Sequence, residues 1–514
     1  MTTVDLISRL IESRQNVFLH GPGGTGKSYT IKKLAKSFLA DGVNVSVTST
    51  TGISAYGLME DDVHASTIHK WAGIGTGEGD VMSLIKSIKT IRQSALMNWY
   101  RTEVLIIDEV SMLGGNLFFK LNEIGKILRK SNRVFGGIKL IVCGDMYQLP
   151  PVKDNWVFKT EAWKECNFFR IELDKPYRYK DMEWFGLLLR ARIGKLNEND
   201  IAQLAERKKA YDDAVISAYT PSEMYTTVGE STVTGSTTGN GACDAIKPTR
   251  LYSTRRDVEG ENILELSKLD GARYAFECTD ILEKKQKTSI RTADFYAKTL
   301  EDIIPKVLTF KKGAQVMLRF NTDPDTGLVN GRRGVIVDIA QNSIRVMWSE
   351  FQTTTVTPHG FEYSDEQCYV TRFQFPLILA WAITIHKSQG CTLDKVECDV
   401  GSSIFAAGQA YVALSRVKSL GGLFLSSFNP GCIYSDDVVM KEFNPTARRL
   451  GETEECAISR DIIAYGEKYK MCSVKCEHLV SYSAFLEWLT KSPTLKINCV
   501  MCTSELKDEI YINL

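Results

Sequence analysis

The chain has 514 residues, enough for three or four domains with cores of their own. With 44% hydrophobic and 24% charged residues it reads as globular, which excludes a wholly disordered, collagen-like or membrane-spanning chain. Sixty-three Lys and Arg balance sixty-two Asp and Glu, a formal +1, so the molecule lacks the basic bias of a passive nucleic-acid coat and must hold any polyanion locally.

No apolar run reaches the roughly eighteen residues of a spanning helix, and Asp5 and Glu12 interrupt the N-terminal stretch where a signal peptide needs an apolar centre. Thirteen scattered cysteines without a dense framework fit a reducing compartment. The expectation is a soluble, intracellular protein with no membrane partner.

In the first 150 residues short apolar runs alternate with helical segments. Val17 to Leu19, Val43 to Val47, Val104 to Ile107 and Leu140 to Cys143 read as buried strands of a doubly wound parallel sheet. Ligands of such sheets bind at the carboxyl ends of the strands. The first run leads into Gly21-Pro22-Gly23-Gly24-Thr25-Gly26-Lys27-Ser28, the phosphate-loop spacing, with a helix expected from Ser28. Backbone N–H groups of the glycine turn cradle phosphates, Lys27 reaches the β and γ phosphates, and the Ser28 hydroxyl takes magnesium. The third run ends in Asp108-Glu109, a magnesium carboxylate beside a base for the attacking water. The fourth leads to Gln148 in Gly144 to Pro151, either a γ-phosphate sensor or a polar turn closed by two prolines.

Between Thr220 and Gly241, fourteen of twenty-two residues are Ser, Thr or Gly, which predicts a surface loop or linker. From about Lys311 the runs Ala314 to Phe320, Gly334 to Ile339 and Ser343 to Trp348 predict a small inserted β-barrel. Pro376 to Ile385 restores the buried-strand signature of a second α/β domain. It leads into His386-Lys387-Ser388-Gln389-Gly390, and Gly408 to Arg416 follows. Arg178 and Arg416 are candidates for arginine fingers, although an isolated arginine is more often a surface residue.

The ordered set of motifs resembles the Pif-one family of superfamily 1B DNA helicases, relatives of RecD and Dda. The match runs over most of residues 16 to 430. Its strings are the phosphate loop, Thr48 to Ala55, Ser66 to His69, Leu105 to Met112, Phe135 to Ile138, the Gln148 segment, Lys312 to Leu318 and the His386 and Arg416 segments. Val134 stands where a proline is usual and Lys139 where a glutamine is usual. A glutamine-containing adenine-reading motif is missing before the first strand, where Gln15 is badly placed to replace it.

The resemblance implies two RecA-like P-loop NTPase domains, residues 1–175 and residues 176–269 with 376–435. A wedge insertion at 61–80 and an SH3-like insertion at 270–375 complete the fold, with a C-terminal extension at 436–514. ATP and Mg²⁺ would lie between Gly21, Gly23, Gly24, Thr25, Gly26, Lys27, Ser28, Asp108, Glu109 and Gln148 on one side and Arg178, Gln389, Gly390 and Arg416 on the other. Single-stranded and forked DNA would be the partner, contacted by Thr50, Thr51, His69, His386 and Lys387. The polarity is 5′ to 3′ by resemblance only. Taken outside it, His69 and His386 read first as hydrogen-bonded structural histidines, and Trp71 and Trp381 as core. An alternative class is a nucleotide-dependent DNA-binding switch, and an RNA substrate stays open.

Cys476-Glu477-His478 and Cys499-Val500-Met501-Cys502 give the spacing of a tetrahedral zinc site, with Cys472 able to replace His478. The arrangement resembles the zinc module of RING-like and SP-RING domains, which would recruit a protein partner or cap the fold. Four reduced, unlinked cysteines are the plainer alternative.

Overall fold

In the first α/β unit the apolar runs lie between two covered faces. Val17, Leu19, Val104, Ile106, Ile141 and Cys143 join one buried cluster, whereas Phe18, Leu105, Ile107, Leu140 and Val142 join another on the opposite side. Side chains alternate across a strand, so a sheet buried on both faces demands unbroken apolar runs. The strands are β1 (Val17–His20), β2 (Val45–Ser49), β3 (Ala65–Thr67), β4 (Val104–Asp108), β5 (Lys139–Gly144) and β6 (Phe169–Glu172). They form one parallel sheet in the order β3-β2-β4-β5-β1-β6. Helices Thr3–Glu12 and Lys27–Ala40 pack on one face and Gly115–Leu128 on the other.

The computed structural model describes residues 3–60, 62–219, 247–284, 300–301, 304–319, 328, 332–348, 352–364 and 368–443, with short strands beyond them at Thr446–Arg448, Lys468–Met471, Leu479–Ser481 and Tyr511–Asn513. The Ser, Thr and Gly-rich stretch from Thr220 to Gly241 lies outside the described residues, as do Cys472, Cys476, His478, Cys499 and Cys502. Among the described residues no helix is long and apolar enough to cross a membrane, and no group of three or more His, Cys, Asp and Glu is placed to hold a metal ion.

A second parallel sheet orders Ala382–Thr384, Thr249–Tyr252, Val396–Val400 and Leu423–Phe428. Between its strands in sequence, an antiparallel five-stranded sheet runs Thr353–Val356, Ser343–Trp348, Arg333–Ala340, Gln315–Leu318 and Leu377–Leu379. The sequence predicts a barrel here; among the described residues the pairings make open antiparallel sheets around a core centred on Trp348, Phe310 and Val316.

Two expectations change. The run Pro376 to Ile385 is not one strand, because Leu377–Leu379 closes the antiparallel sheet and Ala382–Thr384 opens the parallel one. Between them the Ala380 N–H donates to Gln315 O, and Arg250 N–H donates to Trp381 O, so the chain changes sheets within three residues. The segment 61–80 is also not separate throughout, since β3 belongs to the main sheet and Trp71 is buried against Trp99, 4.6 Å between ring centres.

The chain leaves the second unit and returns to the first. Helix Asp437–Phe443 places Val439 in the first unit's core, and its Phe443 ring stands edge-on to Phe158 and Phe18. Asp436 accepts a bond from Trp156 Nε1 at 3.0 Å, and Glu442 pairs with Arg170.

Candidate nucleotide cleft

The loop after β1 is held open by its glycines. Gly21 has φ +151, and a Cβ built there would lie 2.2 Å from the Leu173 carbonyl oxygen, so no larger residue fits. Thr25 Oγ1 donates to Pro22 O at 2.9 Å and closes the turn, and the helix starts at Lys27, one residue earlier than its sequence predicts. Lys27 Nζ folds onto the Gly21 and Pro22 carbonyls at 2.7 and 2.8 Å. An ammonium satisfied by neutral carbonyls keeps its charge uncompensated beside the loop. Ser28 is exposed at the helix start, where the helix dipole favours an anion.

Asp108 ends β4 in a buried position, and desolvation pushes its carboxyl up despite nearby Lys27. Ser54 Oγ stands 3.5 Å from Asp108 Oδ2. Glu109 takes a left-handed backbone, φ 54, which turns its side chain away from the strand direction and into the cleft. Burial, then the neighbouring Asp108 charge, raises its carboxyl to about 7. The two carboxylates without a formal ion pair suit a divalent cation, and Asp108 with Ser28 would hold magnesium there.

The opposite wall comes from far along the chain. Arg416 is 1% exposed, and its guanidinium donates to Val412 O, Ser388 O and Ser415 Oγ, all neutral acceptors. A Cβ on Gly23 would lie 3.6 Å from Arg416 Nη2, which puts this charge against the phosphate loop. Arg178 is pinned there too, with its N–H and that of Tyr177 donating to Gly24 O and its Nη1 donating to Ser415 O. The Arg178 charge adds to burial in lowering the basicity of Arg416. Two guanidiniums crowded against a glycine loop with neutral partners form an anion site.

Gln389 reaches across from the second unit. Its Nε2 donates to Glu109 Oε2 at 2.8 Å and to Gln148 Oε1 at 3.0 Å. The sequence expectation set it and Gly390 on the nucleotide; here Gln389 holds the two side chains of the first unit. Gly390, φ +79, ends that turn with no heavy atom near a built Cβ.

Residues the sequence reading passed over complete the wall. Tyr411 Oη accepts the Gly23 N–H at 3.0 Å and donates to Asp145 Oδ2 at 3.2 Å. Buried Arg192 pairs with the same Asp145 and lies 4.0 Å over the Tyr147 ring. Tyr177 is 73% exposed, with its ring against Gly26. Tyr411 sits within the Gly408 to Arg416 string, but nothing local marks it as a partner of residue 23. Gln15, the possible substitute for an adenine reader, donates instead to Asn167 O.

The candidate strand-contacting residues lie at the carboxyl ends of neighbouring strands. Thr50 and Thr51 follow β2 and His69 follows β3, and Thr50 Oγ1 donates to Glu109 O at 3.2 Å. His386 and Lys387 follow Ala382–Thr384 at the edge of the second sheet. A tetrad, Thr-Ile-His-Lys, occurs as Thr67 to Lys70 and as Thr384 to Lys387. In both, the threonine caps a short helix by accepting the lysine N–H, the isoleucine is buried, and burial lowers the basicity of the half-buried histidine. This identity was open to view in the sequence as a signal for equivalent sites on the two units.

Two α/β units of RecA-like fold, closing a phosphate loop with arginines from across the cleft, define the class: a P-loop nucleotide-binding protein. Residues 3–198 match the family described as PIF1-like helicase, and residues 299–339 match DNA helicase Pif1, 2B domain. The ATP-dependent DNA helicase PIF1 of Danio rerio is 34% identical over 83% of this chain and 61% of its own length, so the chain spans less than two thirds of that relative. The crystal structure of Pif1 helicase from Candida albicans is 33% identical, covering 86% of this chain and 98% of that one at a TM-score of 0.66. Bacteroides sp Pif1 in complex with ADP-AlF4 is 25% identical, covering 86% and 96%, at 0.65. The chain belongs to the PIF1-like helicase family.

Proposed function

We propose that this protein is an ATP-dependent DNA helicase that steps along single-stranded DNA, 5′ to 3′, and opens forked duplexes during replication, repair or recombination. The observation that carries the reading is the convergence of Arg178 and Arg416 on the glycine loop, with Gln389 joining Glu109 to Gln148 across the cleft. Hydrolysis sited between two units changes their mutual contacts, which is the requirement for converting turnover into stepping. The helicase names of the relatives agree with this reading.

The residues have distinct tasks. The loop N–H groups and Lys27 hold the β and γ phosphates, and Asp108 with Ser28 would hold magnesium, which would supply charge neutralisation at the phosphoryl group. Glu109, with its raised basicity, takes the proton of the attacking water. Gln148 orients that water, and Arg178 and Arg416 stabilise charge as it develops, a role worth about 10³ to 10⁵ in rate. Thr50, Thr51, His69, His386 and Lys387 grip the strand along the carboxyl ends of both sheets, without sequence readout.

Unwinding of a tailed DNA duplex tests the reading. ATP-dependent strand separation from the 5′ tail is expected. Lys27→Ala should lose hydrolysis, and Glu109→Gln should bind ATP and lose turnover by at least about a hundredfold. ATP-dependent DNA binding with no turnover would point instead to a nucleotide-dependent switch, and unwinding of matched RNA alone would replace the substrate. The cysteine tail's spacing supports a structural zinc with Cys476, His478, Cys499 and Cys502 as ligands and a protein-recruiting role; metal content near zero in chain purified without chelator rejects it.

A further inference from the structure

Among the described residues, every hydrogen bond of the Arg416 guanidinium stays within the second unit. It donates to Val412 O at 2.7 Å, Ser388 O at 3.1 Å, Cys391 O at 3.4 Å and Ser415 Oγ at 2.6 Å. Its place beside the phosphate loop is therefore set by the seating of the helix before it, Gln409–Leu414, which carries the Val412 carbonyl. That helix meets the first unit at two points. Gly408, at its start, packs against the Tyr147 and Gln148 carbonyls. Three residues on, Tyr411 Oη accepts the Gly23 N–H at 3.0 Å and donates to Asp145 Oδ2 at 3.2 Å.

The direction of these two bonds is forced. A carboxylate only accepts, so the phenol gives its single proton to Asp145 and turns a lone pair to the Gly23 N–H. Burial and the Asp145 charge push the Tyr411 phenol above its ordinary value, so it keeps that proton. Asp145 is held in turn: Arg192 Nε and Nη2 donate to Oδ1 at 3.0 and 2.8 Å, and the Tyr147 N–H donates to it at 3.2 Å. Gly23 and Asp145 belong to the first unit, Tyr411 and Arg192 to the second. The chain Gly23–Tyr411–Asp145–Arg192 thus crosses the cleft at every link, with its three side chains buried.

From this geometry we infer that Tyr411 is a positioning residue for hydrolysis: its hydroxyl pins the helix Gln409–Leu414 to Gly23 and Asp145, and so holds Arg416 where charge develops on the transferring phosphoryl group. The inference rests on the proposed role of Arg416 in the helicase reading and adds a residue to that same site. Tyr411 acts only through Arg416 and touches no reacting atom. Lys27, at the far end of the loop, bonds to Gly21 O and Pro22 O and not to Tyr411, so nucleotide binding in the ground state does not need the hydroxyl.

The test sets steady-state ATP hydrolysis by the full chain beside equilibrium binding of ADP and of ADP with aluminium fluoride, a mimic of the phosphoryl group in transfer. Tyr411→Phe keeps the ring and removes the hydroxyl. It should leave the ADP Kd and the ATP KM within about twofold, lower kcat about tenfold or more, and weaken the ADP–aluminium fluoride complex by a similar factor. The unchanged ADP Kd also reports that the variant is folded. Arg416→Ala should lose at least as much, and Tyr411→Phe introduced into it should cost less than about twofold further, because its route is already cut. Turnover and ADP–aluminium fluoride affinity within twofold of wild type in Tyr411→Phe overturn the inference. So do losses that multiply in the double variant, or a fall in ADP affinity equal to that of the fluoride complex, which marks a role in loop shape alone. A wild type without ATP hydrolysis sinks the helicase reading itself, whereas an active wild type and a crippled Arg416→Ala beside an unimpaired Tyr411→Phe sink only this inference.

Discussion

Two histidines on matching tetrads show how much a single side chain depends on its neighbours. Both His69 and His386 are half-buried, and burial lowers their basicity below the ordinary 6.5, so the folded protein holds them neutral at neutral pH. A folded-state value below the unfolded one means that the unfolded chain binds more protons in the window under pH 6.5. Stability is then at its full value above that pH and is lost as pH falls through the folded value. The raised Glu109 carboxyl acts in the opposite sense over the same window, so the histidine contribution is read as a difference: between pH 7 and pH 5 the thermal unfolding midpoint of a His69→Gln, His386→Gln double variant without DNA should fall less, or rise more, than that of the wild type. Equal slopes would mean that neither imidazole is desolvated as described. The candidate residues legible from sequence were those whose chemistry is local: Lys27 and Ser28 in a glycine turn, Asp108 and Glu109 at a strand end. Tyr411 and Arg192 were not legible, because their partners Gly23 and Asp145 are distant in the chain and no local pattern announces a bond between them.

Elements follow the same division. The four strands predicted before residue 150 form at β1, β2, β4 and β5, since a strand covered on both faces has a strong apolar signature. β3 and β6 escaped notice, being only three and four residues long with polar positions among them. The helix Asp437–Phe443 is the clearest case of an element whose meaning is tertiary. Its single fully buried side chain, Val439, is 0% exposed in the core of a unit that begins more than four hundred residues earlier. Val439→Ala should remove about 2 kcal/mol of stability by leaving a cavity. Hydrogen exchange should register the loss in β1, β5 and the Trp156 to Phe158 segment, and a loss confined to residues after 430 would show that the helix does not support the first unit.

For the molecule as a whole, the pair Asp145–Arg192 and the Tyr411 hydroxyl make the cleft a built interface: Asp145 is fully buried, and Gly408, φ +74, lies so close to the Tyr147 and Gln148 carbonyls that a Cβ would stand 2.4 Å from the first. Charges removed from water in this way are costly unless every bond is made, which favours a defined arrangement of the two units over a loose one. The near-neutral total charge has its consequence at this scale. If the proposed strand contacts, a few side chains at the strand ends, are the whole grip, the affinity for single-stranded DNA falls gently with salt, with a log-log slope of magnitude about 2 to 4 at roughly 0.7 per phosphate contact. A slope beyond about 7 would show that the protein surface binds as a basic coat.

What the sequence by itself determined was each unit's chemistry: the glycine loop, the paired carboxylates, the buried strands and the family they imply, all written in windows of a few residues where backbone conformation and burial are locally encoded. Tertiary structure alone decided which distant groups meet. It divided Pro376 to Ile385 between two sheets, returned Val439 to the first core and set Gln389 on Glu109. Those contacts arise because closing long loops is rewarded only by burial and hydrogen bonds formed together at the end of folding, and no short stretch of chain carries that sum.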